Sequence, residues 1–208
     1  MIKDTNIDEL FSSVINNKKK INTFDEAMTR LGYLERHLFL GEIDPDVGDT
    51  IESMIRIYNQ WDDERNIPVE ERVPIKLFID SPGGDLTASF TIIDSINMSK
   101  TPVWTINVGA AYSGGFFVFI NGHTRYCYRN SSFLYHEGAT EVGGDANKFQ
   151  NFSDFYKRQL QRLREITLAN TKISPDLYNE KRRDDWWIDA NEALELGIAD
   201  KITDTFIY

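Results

Sequence analysis

The sequence is poor in the residues that staple chains, bind metals or span membranes. It holds one cysteine, Cys127, in 208 residues. One thiol makes no internal disulfide and cannot by itself build a zinc site, so Cys127 is predicted to be a small core residue in a strand. No apolar run approaches the roughly 18 residues that a membrane-spanning helix requires. The first ten residues, MIKDTNIDEL, place acids where a signal peptide carries an apolar stretch. A cytoplasmic location without membrane association is the expectation. Basic side chains are the minority: 23 Lys and Arg face 33 Asp and Glu, a net charge of −10. That balance disfavours nucleic acid and anionic lipid as partners. Neither glycine-rich turn of the chain matches a P-loop or a GxGxxG fingerprint, and neither a cofactor nor a metal is expected.

What is present suits one globular domain with a real core: 41% of the residues are apolar and 27% charged. Residues 1–23 are mostly polar and include Lys18, Lys19 and Lys20. Ile7, Leu10, Phe11 and Val14 fall at helical spacing, so this segment is either a short amphipathic helix or an N-terminal arm. A single domain is expected over 24–208. His37–Leu40 predicts a strand, and Ile51, Met54, Ile55, Tyr58 and Trp61 mark one helical face. Asp62 to Arg72 predicts a charged loop. Ile75–Asp80 is a strand stopped by Ser81-Pro82-Gly83-Gly84, and Leu86, Phe90, Ile93 and Ile96 describe a helix. Val103–Val108 predicts a strand, followed by the turn GAAYSGG and an apolar helix to about Asn121. Thr124–Tyr128 and Phe133–His136 are further strands. Strand and helix alternating in this order imply βαβ units and a largely parallel sheet, an α/β fold. After a glycine-rich stretch at 138–148, Phe149, Phe152, Tyr156, Leu160 and Leu163 recur at helical spacing to about Asn170. A helix that long, at about 1.5 Å per residue, is expected to project from so small a domain or to pack on another subunit. Asp189 with Glu192 reads as a capping box, Gly197 as a helix end, and Ile198–Ile202 as a last strand.

Two strand-to-helix turns carry the chemistry. Gly83-Gly84 and Gly114-Gly115 expose backbone N–H groups where a helix begins. Two such groups aimed at one point form an oxyanion hole, and Ser113 would lie beside it. Phosphate cradles use the same device, and many glycine-rich turns are only structural. A serine nucleophile needs a base. His37 opens a strand and His123 follows a turn, whereas His136 ends a strand, as Ser113 does. In parallel sheets functional groups gather beyond those ends. The third group is a carboxylate that holds the imidazole tautomer, and with 33 acids the pattern alone does not choose it. AYSGG lacks the first glycine of GxSxG, which argues against an α/β-hydrolase.

Four blocks in order, IDSPGGDLTASFTIIDSI, GAAYSGGFF, SSFLYH and RRDDWWIDANEALELGIAD, resemble the ClpP peptidases, over about Phe24 to Ile202. The resemblance implies a ClpP/crotonase-like fold of repeated ββα/βαβ units, with a handle helix projecting over about 138–170. It implies Ser113 as nucleophile, His136 as base, Asp185 as the acid orienting the base, and the N–H groups of Gly84 and Gly114 as oxyanion donors. It also implies a homo-oligomer of two stacked heptameric rings acting on peptides or unfolded proteins, with an AAA+ unfoldase as a partner. The chain departs from the family at several points. Tyr112 replaces a small residue before the serine, which would narrow the mouth of the site. Gly114 replaces a larger residue, and Glu137-Gly138 replaces Gln-Pro after the histidine. The N-terminal segment matches the family's axial loops poorly. Asp184 adjoins Asp185, and the register on Ala190-Asn191-Glu192-Ala193 favours Asp185. Two other functions compete with the serine endopeptidase. A crotonase-like acyl-CoA enzyme shares the paired-turn oxyanion hole but needs no Ser-His pair. A non-catalytic ring subunit needs no triad.

Overall fold

The computed structural model describes residues 35–138 and 145–208, together with Gly32. The expected arm at 1–23 and its amphipathic helix lie outside the described residues, as does most of the glycine-rich stretch before the long helix.

Strand β1 (His37–Leu40) leads to helix α1 (Pro45–Glu64), which starts with Pro45 in its first turn and Asp44 as N-cap. Ile51, Ile55 and Tyr58 are buried along one face of α1, with Met54 and Trp61 packed beside them. Strand β2 (Ile75–Ser81) and helix α2 (Leu86–Met98) follow. Strand β3 (Val103–Tyr112) then leads into α3 (Gly114–Ile120), a short helix in which every residue is buried. Next come β4 (Thr124–Tyr128), β5 (Ser132–Tyr135) and the long helix α4 (Ala146–Asn170). The chain closes with α5 (Pro175–Lys181), β6 (Trp186–Asp189), α6 (Ala190–Glu195) and β7 (Lys201–Thr203).

The sheet is mixed and it branches. Along one path the order is β1-β2-β3-β4-β7, with every neighbouring pair parallel. The first half of β3, Trp104–Asn107, pairs with β4, whereas Ala110–Tyr112 pairs with β5, and β5 carries β6 antiparallel. This branch corrects the expected extent of β3. The chain does not turn at Gly109; it remains extended to Tyr112 because β5 offers a second set of partners. The main core is apolar: Leu77 and Ile79 of β2 lie with Ile92, Ile93 and Ile96 of α2 and Phe116, Phe117 and Phe119 of α3. Cys127 is buried in β4, and burial pushes its thiol up to about 11.

Asp62 is a further departure. It does not sit in a charged loop, because α1 continues through it and it is fully buried. Arg36 grips its carboxylate from Nη1 at 2.8 Å and Nη2 at 2.6 Å, and Thr101 Oγ1 donates at 2.7 Å. A buried carboxylate is tolerable because it is bidentately paired and hydrogen-bonded. The last strand starts at Lys201, later than expected, because the amides of Ile198 and Ala199 are spent on Ala193 O at the end of α6.

The first half of α4 is the more exposed. Only Leu163 and Thr167 of this helix are buried, while Phe149 and Phe155 are 55% and 47% exposed. The long helix expected from the sequence is present.

Candidate active site

Ser113 follows β3 and precedes α3 with φ 53° and ψ −120°. A side chain in that region costs about 1–3 kcal/mol and persists only where surrounding contacts hold it. Here the Ser113 amide donates to Leu134 O on β5 at 2.9 Å, and its carbonyl accepts from Phe116 and Phe117. A serine at a helix N-cap usually spends its hydroxyl on a first-turn amide. Ser113 makes no such bond, so the half-buried Oγ is free for other chemistry.

Two glycine turns meet at this point. Gly83 and Gly84 have φ of 96° and 146°, which glycine alone adopts readily. A Cβ on Gly83 would stand 2.7 Å from Ser113 Cβ, and one on Gly84 would stand 2.0 Å from Ile43 O. The chain here is bridged to Ile43 through Gly83 O and the Asp85 amide, and the Gly84 N–H is not used in that bridge. The Gly114 N–H opens α3, where first-turn amides have no intrahelical acceptor. Both candidate oxyanion donors therefore lie beside Ser113. The structure also gives a reason for glycine at 114: a Cβ there would come 2.5 Å from Ser89 Oγ on α2.

The strand register brings the other two residues to the same edge. Tyr112 lies opposite Leu134, and Tyr135 lies opposite Trp186. Continuing the antiparallel register by one residue places His136 opposite Asp185 and leaves Asp184 opposite Glu137. His136 Nδ1 is 3.8 Å from Asp185 Oδ1, with the two side chains 32% and 62% exposed. That is an ion-pair separation and is too long for a hydrogen bond. Among the described residues no hydrogen bond joins Ser113 Oγ to His136. Asp184 is exposed, and its amide donates to Lys181 O.

The other two histidines are elsewhere. His37 is buried in β1, and His123 is an exposed turn residue whose Nδ1 accepts the Val103 amide at 2.8 Å. Tyr112 leans along the sheet. Its hydroxyl bonds Ser132 Oγ at 2.8 Å, and its ring meets Trp187 edge-on at 5.2 Å. Sequence reasoning missed Trp187, which is 57% exposed, although its period-2 spacing from Asp185 along a strand could have suggested it. It also missed the contacts of Glu137. The Glu137 carboxylate accepts from Arg182 Nη1 at 2.8 Å, and its carbonyl accepts from the Tyr156 hydroxyl at 2.8 Å. No local pattern links positions 45 residues apart.

The sequence profile of the family described as Clp protease matches residues 26–206. Similar curated proteins include ATP-dependent Clp protease proteolytic subunits 2 from several bacteria. The one from Tropheryma whipplei is 32% identical over 171 residues, covering 81% of this chain and 91% of that protein. The one from Nocardia farcinica is 28% identical over 185 residues, 88% of this chain and 87% of its own length. A third, from Treponema pallidum, is 33% identical over 127 residues, 60% of this chain and 64% of its own. With the α/β sheet, these matches show that the chain belongs to the Clp protease family and is a ClpP-type peptidase.

Proposed function

We propose that the protein is a serine endopeptidase in which Ser113, His136 and Asp185 act as a triad and the Gly84 and Gly114 amides bind the oxyanion. Ser113 Oγ attacks a peptide carbonyl carbon while His136 Nε2 takes its proton. The carbonyl electrons move onto oxygen, which the two amides stabilise. His136 then gives the proton to the leaving amine, and water hydrolyses the acyl-enzyme by the reverse sequence. Asp185 lies on the Nδ1 side of the ring, where a carboxylate favours the tautomer that leaves Nε2 free. The observation that carries this reading is the common edge: one register of β3, β5 and β6 ends at all three side chains. The 3.8 Å separation is within ion-pair range, and catalytic hydrogen bonds often shorten when substrate binds.

Assembly is part of the same reading. Exposed Phe149 and Phe155 on α4 are suited to contact a second copy, and the family relationship supports a reading as two stacked heptameric rings around a chamber. The relatives are named as subunits of ATP-dependent proteases. An ATP-driven AAA+ unfoldase is the partner proposed for this chain. No helix among the described residues is long and apolar enough to cross a membrane, and the proposed setting is the cytoplasm. The test incubates the pure protein, and Ser113→Ala, with a short fluorogenic peptide and with a stable folded protein. Slow, ATP-independent cleavage of the peptide alone, lost in the variant, is expected. Activity that survives Ser113→Ala removes the mechanism, and rapid digestion of the folded protein removes the chamber.

A further inference from the structure

Among the described residues His136 makes no side-chain hydrogen bond, and Asp185 stands 3.8 Å away. Its position must therefore come from its neighbours in the chain, and both of them are tied to α5. Before it, the Tyr135 hydroxyl donates to the Tyr178 hydroxyl at 2.6 Å, with both tyrosines buried. After it, the Glu137 carboxylate accepts from Arg182 at 2.8 Å, with side chains 21% and 36% exposed. Positions 135 and 137 are two apart on extended chain, and 178 and 182 are one helical turn apart, so the two ties are in step. Arg182 is the C-cap of α5, and the chain runs from it through only two residues to Asp185. One short helix thus bonds the side chains on both sides of His136 and launches the segment that carries Asp185. Tyr156 adds a hold from α4 through Glu137 O.

Lys157 and Arg164 of α4 line the same small cavity of about 160 Å³ with Glu137, Tyr178 and Arg182. It is Arg182, however, that bonds the carboxylate, and that bond pushes the guanidinium further above its usual value.

We propose that α5 is a splint for the site, and that Glu137 and Arg182 are positioning residues that set the separation of His136 and Asp185; the proposal rests on the triad reading above.

The test compares Glu137→Gln, Arg182→Gln and the double variant in the full chain. It measures kcat and KM on a short peptide, the rate of fluorophosphonate labelling of Ser113, the thermal midpoint and the sedimentation profile. Each single change should lower kcat and the labelling rate together by about 10- to 100-fold, the scale of a misplaced catalytic group. KM and assembly should remain near wild type. The double variant should be no worse than the poorer single, because both break one contact. Arg182→Lys keeps the charge and should retain part of the activity, which also covers a failure of Arg182→Gln to fold. Unchanged kcat, additive losses, or losses that follow only the fraction folded or assembled would overturn the splint. Ser113→Ala run in parallel separates the two ideas. If it is inactive while the Glu137 and Arg182 variants behave as wild type, only the splint falls. If it is active, the triad reading falls and the splint with it.

Discussion

The edge of the sheet at Ser113 and the first half of α4 are built on opposite principles. At the edge, contacts within the chain determine the backbone completely. Ser113 is held with positive φ by β5, and Gly83 packs so close to Ser113 Cβ that no larger residue fits. On α4 the same chain leaves aromatic side chains uncovered, and its burial begins only at Leu163. The first region resembles a finished part and the second a part awaiting another surface. They meet at Glu137, whose carbonyl Tyr156 of α4 holds. The difference teaches that the protomer holds Ser113 and the two glycine turns by its own contacts, while the residue after His136 is bonded to the long helix.

The largest effect that would sharpen this comparison is expected at the acid. Asp185→Asn should lower kcat by up to about 10⁴-fold through the wrong histidine tautomer, while Asp184→Asn, opposite Glu137, should stay close to wild type. Steady-state kinetics on one peptide decide it, and the reverse ranking would move the register by a residue. A second substitution probes how tightly the edge is packed. Gly114→Ala places a Cβ against Ser89 Oγ and should cost about 10²-fold by shifting the oxyanion donor. Because the clash is with one side-chain oxygen, Ser89→Ala in the same chain should recover most of the rate. Failure of that rescue would mean that position 114 needs glycine for its backbone. The smallest effect per chain is expected on α4. Phe149→Ser with Phe155→Ser should leave the thermal midpoint of the protomer almost unchanged, since surface substitutions shift stability by about 0.5 kcal/mol or less. Sedimentation should nevertheless show smaller species. A large loss of stability with unchanged assembly would erase the contrast between the two regions.

Much of the fold could be read locally. The capping box at Asp189 and Glu192 is present with both of its bonds, and the apolar spacing on α1 and α2 predicts their buried faces. The two glycine turns were legible because positive φ and close approach demand glycine. What could not be read rests on pairing between distant residues. The branch of the sheet depends on β5 meeting the last three residues of β3, which periodicity along either strand does not encode. Asp62 looked solvated because its partner Arg36 is 26 positions away. Ser113 and His136 were legible as strand ends, but the choice among the acids came from the resemblance; the strand register puts Asp185 opposite His136, which no local spacing encodes. The tie between Glu137 and Arg182 left no trace in spacing at all.

The most direct test of the central claim, a nucleophile held ready by the sheet edge, is fluorophosphonate labelling followed by peptide mapping, on the wild-type chain and on His136→Ala. The account expects one adduct, on Ser113, formed much more slowly without the imidazole. An adduct on another serine, or Ser113 labelling that ignores the loss of His136, would contradict it.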